Sequence, residues 1–263
     1  MNFKTKALVA AIALTAAGAA NAAINGYNDA GPGSILLSVW DKTNQVSALF
    51  DLGIDTGSFT AASATGNMSW DLTSGDYAAA WTSFSANLDA ANTVFMVFGG
   101  DITGPNYSDL HFATTSAAGA ATVGTTTNSQ LAAFNSTDTF VNASNGVGNH
   151  STVADGANVA NSGSAYQGSL ASMGDTWNSS VNAYAATGAL GDSLSFYALQ
   201  GVDGARGASG LAVTVSEYAG TFSLGANGQL AYVAAPVPEP ESYALMLAGL
   251  GLIGAVARRR SAR

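Results

Sequence analysis

Apolar residues recur along this chain at two spacings. Residues 35–40 (ILLSVW) form an apolar, β-branched run after a Gly-Pro-Gly turn, which predicts a strand. The polar turn DKTNQ follows, and residues 46–53 (VSALFDLG) predict the returning arm of a hairpin. A short strand is expected around Met68 and Trp70 within residues 66–72. Tyr77, Trp81, Phe84 and Leu88 then fall at helical spacing on one face, so residues 75–90 predict an amphipathic helix, with Ser74 or Asp76 to cap it. Residues 93–99 (TVFMVFG) make the most hydrophobic strand, expected to be central and to end at Gly99-Gly100-Asp101.

From residue 113 to 164 Ala, Thr, Ser, Asn and Gly dominate, with Phe134 and Phe140 the only aromatics. This reads as a long, loose, low-complexity excursion with at most a short helix near residues 130–135. Order returns with strands at 192–200 and 211–218, the second placing Leu211, Val213 and Val215 on one face. The apolar runs at 220–224 and 229–233 flank Gly-Ala-Asn-Gly, a hairpin signal. The expected fold is mainly β. It is an antiparallel β-sandwich-like body carrying one amphipathic helix and the loose insertion, plus a C-terminal hydrophobic helix.

The two ends follow another logic. Lys4 and Lys6 precede an apolar run, and Ala20-Asn21-Ala22 puts small residues at −3 and −1. Residues 1–22 therefore predict a secretory signal peptide cut by signal peptidase beyond Ala22. Residues 23–235 form the exported body, and residues 236–263 a distinct tail. In the tail, Val237-Pro238-Glu239-Pro240 is a stiff, extended acidic spacer, because each proline fixes φ and removes a donor. An uncharged run follows, with Tyr243, Leu245, Leu247, Leu250, Leu252, Ile253 and Val256, and then Arg258, Arg259 and Arg260. About 15 apolar residues make roughly 22 Å of helix, short of a hydrocarbon core of roughly 30 Å. Tyr243 suits the interface, and the arginines can snorkel and hold their end in the cytoplasm.

In that order the three parts resemble the PEP-CTERM sorting signal of exported bacterial proteins. The resemblance implies recognition of the Pro-Glu-Pro box by exosortase, a membrane transpeptidase-like enzyme. It also implies a Gram-negative, exopolysaccharide-producing setting. The expected itinerary is export, a transient stay in the inner membrane, cutting near residues 238–240, and release to the cell surface or extracellular polymer.

Charge narrows the partners. The body keeps Lys42 and Arg206 against fifteen acidic residues, a net charge of about −13. Such a surface repels nucleic acid phosphates. Without cysteine the body has no disulfide and no thiolate site, so its core alone must hold it together. The acids are nearly all Asp, which favours turns over helices.

Catalytic signals are thin. Ile54-Asp55-Thr56-Gly57-Ser58 matches one half of an aspartic protease site, but that chemistry needs two carboxylates sharing a proton, and the box occurs once. Asp109 and His111 would share one face of a strand, but zinc needs three or four ligands. The loops 51–55 and 101–109 offer hard oxygens to calcium, against the plainer reading of turn aspartates in water. No catalytic residue, resident metal or cofactor is assigned. The sequence favours a non-enzymatic surface or matrix protein. A carbohydrate- or ice-binding module is the alternative, and an aspartic hydrolase through Asp55 comes third.

Overall fold

A polar stretch turns out to be the centre of the fold. The computed structural model describes residues 23–169, 185–204 and 207–235. Its strands are β1 (Ser34–Asp41), β2 (Val46–Asp55), β3 (Met68–Asp71), β4 (Thr93–Ile102), β5 (Leu110–Ser116), β6 (Ala157–Ala160), β7 (Gly188–Ala189), β8 (Ser193–Gln200), β9 (Thr214–Leu224) and β10 (Gln229–Ala234). All ten join one antiparallel sheet in the order β3-β10-β9-β8-β5-β4-β1-β2-β6, with β7 pairing off that path onto β4.

The expected two-layer sandwich is therefore corrected to a single sheet curled into a half-barrel. The reason lies in β5, LHFATTS, which carries too few apolar residues to read as a strand. Thr114, Thr115 and Ser116 are buried there. Thr115 accepts from Val97 N at 3.0 Å and donates to Ala186 O at 2.8 Å, and Ser116 donates to Ala185 O at 3.0 Å. With its hydroxyls satisfied, β5 joins the N-terminal strands to the C-terminal ones. Without it the strands fall into two groups that mimic two layers.

Side-chain alternation along the strands gives the sheet two buried faces. One face gathers Leu37, Phe50, Val97, Phe196, Phe222 and Tyr232. It is the inside of the curl, because contacts between opposite ends of the sheet lie on it. Trp70 of β3 donates Nε1 to Leu52 O of β2 at 2.9 Å. Helix α1 (Ala78–Ser85) packs on β2 and β6. Its Trp81 ring centroid lies 6.4 Å from that of Phe50, while its indole faces the Cα of Gly228 in the β9–β10 turn. The loop between β2 and β3 also enters the curl: Phe59 is buried against Phe196, Tyr218, Phe222 and Tyr232.

The face of α1 matches expectation, with Trp81 and Phe84 buried, but the helix is shorter than residues 75–90. A 3-10 turn over Gly75–Tyr77 precedes it. Asp41 and Asn44, in the β1–β2 hairpin, hold the chain beyond it: Asp89 N donates to Asp41 Oδ2 at 2.8 Å, and Asn44 Nδ2 donates to Asn87 O at 2.6 Å.

The stretch 113–164 is not loose. After β5 it folds into α2 (Ala120–Val123), α3 (Asn128–Ala132) and α4 (Thr137–Asn145) before β6. These cover the outer face, where Val123, Leu131, Phe134, Phe140 and Val141 are at most 2 % exposed beside Leu36, Met96, Phe98 and Phe112. Phe134 stacks on Phe112 with centroids 3.9 Å apart. A few large side chains, placed well, complete a core that composition averages away. The N-terminal residues join the same layer. Ile24 and Tyr27 are buried, and Asn145 exchanges hydrogen bonds with the Ile24 backbone at 2.8 and 3.0 Å.

Two further boundaries move. β4 runs through Gly99 and Gly100 to Ile102 rather than ending there. A Cβ on Gly100 would stand 2.5 Å from Phe112 and 2.7 Å from Tyr27, so the glycines mark close packing instead of a turn. β9 begins at Thr214 and runs unbroken through Gly220, so Leu211 and Val213 precede it, Leu211 exposed and Val213 buried. The β9–β10 hairpin forms as expected, with Gly228 at φ +81°.

Candidate functional site

Residues Ala20, Ala22, Val237, Pro238, Glu239 and Pro240 lie outside the described residues, as do Arg258, Arg259 and Arg260. So do Tyr243, Leu245, Leu247, Leu250, Leu252, Ile253 and Val256. The C-terminal hydrophobic helix expected from sequence falls there too. Among the described residues, no helix is long and apolar enough to cross a membrane.

What the structure does place is the junction with the tail. β10 lies between β9 and β3, and its end is held on both sides. Ala235 N donates to Ala219 O at 2.9 Å. Ala234 N donates to the side-chain oxygen of Asn67, also at 2.9 Å. Two residues back from Ala234, Tyr232 is fully buried. Its hydroxyl donates to Ala64 O at 3.0 Å and accepts from Gly220 N at 2.9 Å. In the sequence Asn67 stands out only as part of an Asn-Met-Ser glycosylation sequon, because its contact with Ala234 depends on the β3–β10 pairing.

The carboxylates of the body are mostly engaged in local structure. Asp55 Oδ1 accepts the backbone N–H groups of Gly57 and Ser58, both at 2.8 Å, and Phe59 N donates to Asp55 O at 2.9 Å. This is a turn-building role that aims Phe59 into the curl. Among the described residues no hydrogen bond joins Asp55 to a second carboxylate. Thr56 donates instead to Asp101 and accepts from Gly33 N at 3.0 Å.

His111 and Asp109 do not share a strand face. Asp109 precedes β5 in a 3-10 turn, where its Oδ2 accepts from Asn106 N at 2.8 Å. His111 lies across from Asp101 in the β4–β5 register, Nδ1 to Oδ1 at 2.9 Å. Burial pushes the Asp101 carboxyl up, but its bonds from His111 and Thr56 outweigh that and hold it below the usual range. His150 is buried, with Nε2 2.8 Å from Asn158 Oδ1. Burial lowers its pKa and keeps the ring neutral.

Asp51 is different. It is 6 % exposed, accepting from Ser34 Oγ and Gly53 N at 3.1 Å each. Burial first, then the nearby charges of Asp155 and Asp55, push its pKa up to about 7 despite those two bonds. Asp155 is raised as well, by burial and by Asp76. Among the described residues, no group of three or more acidic or histidine side chains is placed to hold a metal ion. The crevice lined by Tyr27, Ser34, Gly100 and Phe112 has a volume of about 10 Å³, room for one water.

With this geometry in hand, comparison with known proteins locates the functional signal beyond β10. The family model for the PEP-CTERM protein-sorting motif matches residues 236–260, beginning immediately after Ala235. The chain thus carries that motif, which implies an exported protein processed by exosortase at the membrane. No curated protein and no solved structure matches the chain.

Proposed function

We propose that this chain is a non-enzymatic cell-surface or extracellular-matrix protein of an exopolysaccharide-producing bacterium, delivered by its tail. The observation that carries the proposal is the sorting motif at residues 236–260, set directly behind a folded and strongly acidic body. Residues 1–22 take the chain into the export path. The hydrophobic run holds it in the inner membrane, with Arg258–Arg260 on the cytoplasmic side. Exosortase cuts near Pro238-Glu239-Pro240 and releases the body outward. The same acidity keeps the body off nucleic acid.

The non-catalytic reading is supported by how the carboxylates are used. Asp41, Asp55 and Asp109 accept backbone N–H groups that shape turns, and Asp101 is tied to Thr56 and His111. A hydrated acidic surface fits an exopolysaccharide gel, in which the protein remains soluble by charge repulsion.

Mass spectrometry of both termini in each cell fraction tests the proposal. The expected surface form begins at Ala23 and lacks Arg258–Arg260. A chain deleted for residues 237–263 is expected to lose surface delivery. Unchanged location and processing of that deletion would refute the sorting role.

A further inference from the structure

The sorting box sits very close to the folded body. From Ala235, whose N–H is bonded to Ala219, to Pro238 is three residues, a reach of roughly 10 Å when fully extended. An enzyme that cuts a chain must hold it extended in a cleft on both sides of the bond. On the upstream side, the β9–β10–β3 corner occupies that space.

The last three residues are held by backbone pairing with β9 and by Asn67, and they bury little side-chain surface. Ala235 is exposed, Ala234 half-buried, and Val233 51 % exposed. Tyr232, by contrast, is fully buried. Its ring centroid is 5.0 Å from Phe222 and 5.2 Å from Phe59, and its hydroxyl is bonded twice. Peeling from the end therefore frees residues 233–235 and stops at Tyr232. The free reach to Pro238 grows to six residues, roughly 20 Å.

Resting on the sorting role proposed above, we propose that the last three residues of the body form a latch that limits how far the sorting box can reach from it. Asn67 is its catch and Tyr232 its stop. The partner is a membrane-embedded enzyme that breaks one peptide bond near Pro238-Glu239-Pro240. The acyl group passes to water or an amine acceptor, and the tail keeps a new amino terminus. The latch couples the cut to the body's folded corner: where opening is fast relative to cutting, the rate follows the open fraction.

The experiment follows tail removal from the full chain in its native host, by pulse-chase and mass spectrometry. Asn67→Ala removes the catch and is expected to shorten the half-time roughly two- to ten-fold, the weight of one exposed-edge hydrogen bond. Six Gly/Ser residues inserted between Ala235 and Pro236 are expected to shorten it as well, and Asn67→Ala is expected to add nothing in that background. An unchanged thermal unfolding profile near the wild type shows that Asn67→Ala keeps the body folded. Half-times unchanged by both alterations, with the chain deleted for residues 237–263 left unprocessed and undelivered, would overturn the latch alone. Normal delivery of that deletion would overturn the sorting reading beneath it.

Discussion

At the scale of single residues, the most consequential group in the body is Asp51. Its folded pKa of about 7 stands well above the ordinary carboxylate value of 3.8. Between those values the folded chain binds more protons than the unfolded one, so stability falls as pH rises through that window. Below it the neutral acid is at ease in its burial, and above it the folded state must hold a charge near Asp155 and Asp55. Asp51→Asn keeps one acceptor for Gly53 N and offers a donor to Ser34, while removing the titration. Denaturant melts between pH 4 and 8 are expected to show the wild type losing about 2–4 kcal/mol and the variant losing clearly less. An equal slope in both would remove Asp51 as the cause. Phe134 tests the outer layer. Its ring is 1 % exposed and stacks on Phe112, so Phe134→Ala is expected to cost about 3–5 kcal/mol by denaturant midpoint. A cost below about 1 kcal/mol would mean that the α2–α4 layer contributes little to the core.

At the scale of elements, the decisive strand is one whose sequence looks like a loop. β5 is central because its buried hydroxyls find backbone partners in β4 and in residues 185–186, a matter of neighbours and not of strand propensity. β4 shows the converse. Gly99-Gly100 looks like an ending and is a crowded crossing, where the sheet, Tyr27 and Phe112 converge. Gly100→Ala is therefore expected to destabilise by about 1–3 kcal/mol, through a Cβ that meets Phe112, Tyr27 and the His111 backbone. The same change at Gly66, with open space around its Cα, is expected to stay within about 0.5 kcal/mol. Thermal unfolding of the two variants side by side checks the contrast. Comparable losses at both positions would place the cost in the backbone and not in the crossing.

At the scale of the whole molecule, the half-barrel depends on a seam between the two ends of its sheet. Trp70 reaches Leu52, and Trp81 spans from Phe50 to the Gly228 turn. Trp81→Ala is expected to cost about 3–5 kcal/mol. It is also expected to raise amide exchange in β3 and β10 before that in β4 and β5. Uniform loss of protection would mean that the curl opens as one unit.

The sequence by itself determined the sorting motif at residues 236–260, the β1–β2 and β9–β10 hairpins and the buried face of α1. Each of these is written in consecutive residues: a charge beside an apolar run, a period of two or 3.6, or an Asn-Gly turn. Only the tertiary structure decided that one sheet and not two carries the body, that β5 lies at its middle, and that Phe134 and Phe140 anchor a second core. It also decided that Asp55 builds a turn and that Asn67 clasps the strand leading to the sorting box. Those outcomes depend on pairings between residues far apart in the chain, where a buried hydroxyl or amide is stable only if a distant backbone group meets it.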